Sequence, residues 1–63
     1  MEGVLLELIP YRGKIKGAST INRYKDIEKA TEIAIALLRI DKSTSKVMIY
    51  NNHEFLKSVK QKL

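Results

Sequence analysis

Between Asp26 and Asp41 the chain carries the run Ile33-Ala34-Ile35-Ala36-Leu37-Leu38, which narrows the available folds more than any other stretch. Ile27, Ala30, Ala34, Leu37 and Leu38 recur three and four residues apart, which predicts an amphipathic helix. Asp26 suits its start, because a carboxylate there accepts from free backbone N–H groups and faces the positive end of the helix dipole. Ile33 and Ile40 widen the stripe until the last two turns are apolar nearly all round. Such a helix has to be covered on more than one side, by a sheet and by something else.

The remaining segments supply that sheet. Val4-Leu5-Leu6-Glu7-Leu8-Ile9 reads as a strand. Pro10-Tyr11-Arg12-Gly13 supplies turn chemistry, and Lys14 to Ser19 follows as a weaker strand, giving a hairpin of residues 4–9 with 14–19. Residues 19–25 form a polar connection and residues 41–45 a loop, after which Val47 and Ile49 alternate with Met48 and Tyr50 in a strand at 46–50. Phe55, Leu56, Val59 and Leu63 fall on a narrow helical stripe, with Asn52 as its N-cap. The expected fold is therefore a small α/β domain of order β-β-α-β-α, a three-stranded sheet with two helices. A right-handed crossover leads from the second strand to the third.

A domain of 63 residues is small enough to need a staple. With no Cys and a single His, disulfides, thiolate zinc sites and multi-histidine metal sites are excluded, and no cofactor is implied. A second subunit is the remaining staple, and a homodimer is expected. No apolar run is long enough to cross a bilayer. The N-terminus lacks the basic region and cleavage site of a signal peptide, so a cytoplasmic setting is expected.

The net charge is +5, and its distribution matters more than its sum. Residues 10–25 carry Arg12, Lys14, Lys16, Arg23 and Lys25 without an acid, and residues 42–63 carry five lysines against Glu54 alone. Basic blocks of this kind attract polyanions and release their counterions. The candidate phosphate contacts are Arg12, Lys14, Lys16, Arg23 and Lys25. Asn22 and Asn52 are added because amides often bond to phosphate or sugar. Tyr11, Tyr24 and Tyr50 are candidates for stacking on bases.

Three stretches, "YRGKIKGAST", "TINRYKDIEKATEIAIALL" and "KVMIYNNHEFLKSV", taken in that order, resemble the ribonuclease H family from its second strand to its second main helix. The resemblance implies a truncated version of that fold without the first strand, so that residues 46–50 pair directly with residues 4–9 or leave an exposed edge. It also implies phosphodiester chemistry at paired metal ions held by carboxylates. Here Asp26 stands at the second acidic position and the neutral Asn52 at the third, while the first is missing with its strand. One carboxylate does not hold two metals, so no catalytic residue is assigned. The expected function is non-catalytic nucleic-acid binding, to a duplex or hybrid through its backbone. The alternatives are a structural or regulatory protein–protein module acting as a homodimer, and a metal-dependent nuclease using Asp26 together with acids of a second chain.

Overall fold

The structure is a computed structural model and describes residues 3–61. The elements are β1 (Val4–Arg12), β2 (Ile15–Lys16), β3 (Thr20–Tyr24), α1 (Ile27–Ile40), β4 (Lys46–Asn51) and β5 (Glu54–Lys60). All five strands belong to one sheet, and every ladder in it is antiparallel. This corrects the expected β-β-α-β-α order with three strands. The polar connection at 19–25 is a strand, and a fifth strand stands where a second helix was expected.

Strand β1 is the axis of the sheet. One edge pairs with β4 from Glu7↔Tyr50 to Tyr11↔Lys46. The other edge is shared, with β3 along residues 4–8 and β2 along residues 11–12. The expected strand ended at Ile9, but β1 continues through Pro10 because the missing N–H breaks no β1–β4 bond. The Pro10 carbonyl accepts from Gly17 N–H at 2.8 Å, so its nitrogen faces the interval between β2 and β3, where the ladder is interrupted. That approach also requires Gly17, since a Cβ there would lie 3.0 Å from the Pro10 oxygen. The turn moves to Gly13-Lys14, where Gly13 takes φ +61° as the first residue of a two-residue hairpin loop. β3 forms although Ile21 is its only aliphatic residue. Thr, Ile and Tyr suit extended backbone, and the long edge of β1 supplies the hydrogen bonds.

The second hairpin turns on Asn52 and His53, with φ of 49° and 71°, between the paired residues Asn51 and Glu54. Two successive left-handed residues make the primed turn that suits strand twist, and Asn is the non-glycine residue that best tolerates it. The same geometry cannot open a right-handed helix, so Asn52 is a turn residue and not a cap. Of the expected tail stripe, Val59 packs beside the core and Phe55 pairs with Tyr50, while Leu63 lies outside the described residues. A register shift between Ile49 and Tyr50 separates these two regions of the ladder.

α1 lies on one face of the sheet. Asp26 caps it, its Oδ1 accepting from Lys29 N–H at 2.9 Å. Ala30 and Ala34 are fully buried, which lets the helix axis sit close to Leu6, Leu8, Val47 and Ile49. Leu38 completes that cluster. Leu37 of the expected stripe is 41% exposed instead, because one helix cannot span the whole sheet.

The turn gives a test. His53→Gly relieves a left-handed side chain and should stabilise the protein by up to about 1 kcal/mol, whereas His53→Val should cost about 1–2 kcal/mol. Urea unfolding followed by circular dichroism measures both. Equal midpoints for the two variants would contradict the turn geometry.

Candidate nucleic-acid interface on the open sheet face

Residues directly opposite each other in a ladder point to the same face. Leu6, Leu8, Pro10, Val47 and Val59 point toward α1, so Tyr11 and its partners point away from it. The register then builds one row across four strands: Lys16 opposite Tyr11, Tyr11 opposite Lys46, and Lys46 opposite Lys60. At the usual strand spacing this row is about 14 Å long. The Lys46 ammonium lies 5.1 Å from the Tyr11 ring centroid, a cation–π contact across the β1–β4 ladder.

Behind this row lie Ile9, Met48 and Ser58, then Ile21, Glu7, Tyr50 and Phe55, then Arg23 and Leu5. Ile9 is buried although it is outside the helix-side cluster, so the face has its own small apolar floor. Tyr50 and Phe55 meet edge to face with centroids 5.6 Å apart. Phe55 is 49% and Leu5 52% exposed. Glu7 is the one acid among these residues.

The loop at 41–45 anchors the lysine end. Ser45 N–H donates to the Tyr11 carbonyl at 2.8 Å, and Gln61 N–H to the Ser45 carbonyl at 2.8 Å. Gln61 Nε2 donates to the carbonyls of Leu38 and Thr44, tying β5 to the end of the helix. Beside the row, Lys42, Lys46 and Lys60 border a shallow depression of about 420 Å³ with Gly13 and Ser45. Asp41 accepts from Ser43 Oγ–H, Ser43 N–H and Thr44 Oγ1–H, and its carboxyl titrates below the usual aspartate range. The Ser43 hydroxyl is the largest cause, followed by the Ser43 N–H and Thr44, with a smaller contribution from Arg12 4.0 Å away; desolvation opposes them.

The seven residues expected to contact nucleic acid are dispersed. Lys16 and Arg23 lie on the open face, but near opposite ends of β1. Lys14 is at the first hairpin tip. Arg12 projects to the helix side toward Asp41, and Asn22, opposite Leu6, also faces that side. Lys25 lies between β3 and α1. Asn52 occupies the second turn, and the neighbouring Asn51 Nδ2–H donates to the Leu5 carbonyl at 3.1 Å. The amides at the end of β4 and in the turn after it therefore serve strand attachment and turn geometry. Lys46 and Lys60 were missed as site residues, because only the β1–β4 and β4–β5 pairing places them beside Tyr11 and Lys16.

Asp26 is engaged in capping, and among the described residues no group of three His, Cys, Asp or Glu side chains is placed to hold a metal ion. None of the described helices is long and apolar enough to cross a membrane. Comparison with family models, curated proteins and solved structures returns no match, and nothing in it links the chain to a ribonuclease-H-like family. The helix which that resemblance required after residues 46–50 is β5.

The Asp41 carboxylate supplies the test for the anchoring loop. A group whose pKa is depressed by folding stabilises the fold above its ordinary value of 3.8, and that stabilisation is lost as pH falls through the lowered value. Unfolding midpoints should therefore drop on acidification below pH 3.8. Asp41→Asn should be less stable at neutral pH and should lose less across the acid range. Parallel acid limbs for the two proteins would show that Asp41 does not hold the loop.

Proposed function

We propose that this chain is a non-catalytic nucleic-acid-binding protein whose contact surface is the open sheet face. The row Lys16–Tyr11–Lys46–Lys60 carries the reading: three ammonium groups from three strands converge along one line with no carboxylate opposite any of them. A planar charged row of this kind suits a phosphate backbone, to which lysine offers compact positive charge without sequence discrimination. Arg23 adds charge at the far end of the same face. Lys14, at the adjoining hairpin tip, lies within the same field. The cytoplasmic setting is part of the proposal and rests on the cysteine-free composition.

Binding to single-stranded and duplex oligonucleotides should weaken steeply with salt. The triple variant Lys16→Gln/Lys46→Gln/Lys60→Gln should lower the slope of log K against log salt by about 2 to 3. Lys29→Gln, on the exposed side of α1, should leave the slope unchanged. Failure to bind either form at low salt, or an unchanged slope in the triple variant, overturns the reading.

A homodimer is the second reading, and the β3-side flank of α1 favours it. Ile33 and Leu37 are about 40% exposed and Ile40 is 80% exposed, all three on the flank of α1 that faces β3, while Ile35 lies on the opposite flank beside Val59. Ile33, Leu37 and Ile40 also line a groove of about 390 Å³ against β3, with Leu8 and Tyr24. A contiguous aliphatic strip on a small protein is a common association surface, and a twofold pairing of helices would leave the lysine row free on both copies. Sedimentation should show a dimer at low micromolar concentration that Leu37→Glu/Ile40→Lys converts to a folded monomer. A wild-type monomer under those conditions contradicts it.

A further inference from the structure

The open face holds two chemistries in one plane, positive charge at one end and exposed aromatic surface toward the other. The rows containing Lys46 and Tyr50 are four residues apart along β4, about 14 Å. Phe55 lies directly across from Tyr50 on β5. A double helix offers phosphates to such a face but keeps its bases stacked inside. A single strand offers both, since every unpaired base has a π-face.

We infer that the ligand is single-stranded nucleic acid, with phosphates along Lys16, Lys46 and Lys60 and an unpaired base stacked on Phe55 beside Tyr50. The inference rests on the nucleic-acid reading above and refines its ligand from duplex or hybrid to single strand. Three observations carry it. Phe55 is half exposed on the sheet face opposite α1, the one helix among the described residues. The edge-to-face contact with Tyr50 fixes its ring without covering it. Tyr11, in contrast, is already occupied by Lys46, so it serves as a post for charge and not as a platform.

Glu7 fits this division. It lies between Ile21 and Tyr50 in the aromatic row. A carboxylate there repels phosphate and so keeps the backbone at the lysine end. It can accept from the exocyclic amino group of a base, as acidic side chains do in base recognition.

The test is fluorescence anisotropy with a labelled oligonucleotide of roughly 12 residues, a length within the usual site range. Single-stranded DNA, single-stranded RNA of the same sequence and the DNA duplex are compared at one low ionic strength. Single strands should bind at least tenfold more tightly than the duplex, and the DNA and RNA arms decide whether the 2′-hydroxyl is read. Phe55→Leu should weaken single-strand binding about fivefold or more while changing duplex binding less than twofold, because it removes the stacking surface and leaves every charge. Intrinsic tyrosine fluorescence should be quenched by the single strand in the wild type, and Tyr50→Phe should abolish part of that quenching. A folded Phe55→Leu protein that binds the single strand as well as wild type, or a duplex bound as tightly as the single strand, overturns this inference and leaves the nucleic-acid reading standing. Binding of neither form overturns both.

Discussion

Strand β1 forms ladders along both of its edges, so its register places three other strands and, through them, the helix-side core. On one side it has enough length to take two short partners in succession, β3 and then β2. On the other it receives β4, which in turn receives β5. The alternation Leu6, Leu8, Pro10 against Glu7, Ile9, Tyr11 then decides which side chains reach the helix and which reach water. A slip of one residue would exchange the two sets. It would put Tyr11 under α1 and Leu8 on the open face. The core and the charged row are thus specified by one register.

The parts of the fold that could be read from residues were those governed by strong local chemistry. Asp26 as a cap and the Ala/Ile/Leu run as a helix follow from side-chain oxygen placement and a period near 3.6. The strands at 4–9 and 46–50 follow from continuous or alternating apolar residues. β3 was not legible because its stabilisation comes from the free edge of β1, a tertiary property of a residue run that is locally polar. β5 was misread for a different reason. Phe55, Leu56 and Val59 fit a helical spacing by accident of a register irregularity, which puts Phe55 on one face and Val59 on the other. The decisive signal was the dipeptide Asn52-His53, whose left-handed backbone commits the chain to return beside β4.

Candidate site residues chosen from a sequence block were separated by the fold. Arg12 to Lys25 form one basic stretch in the chain, yet the two hairpin arms carry Lys16 and Arg23 to opposite ends of β1, and alternation sends Asn22 to the helix side. The row that does form draws on residues 16, 46 and 60, which share no local pattern. Only pairing register brings such residues together, and register is not visible in one strand at a time.

The origin of the row in distant segments links occupancy to cohesion. A polyanion lying across Lys16, Lys46 and Lys60 would bridge the first hairpin to the last through β1 and β4, resisting the peeling of β5 from the sheet's edge. Because an unfolded chain would scatter these ammonium groups, the ligand would favour the native ensemble by mass action. A 63-residue protein without covalent cross-links would then gain rigidity from what it carries.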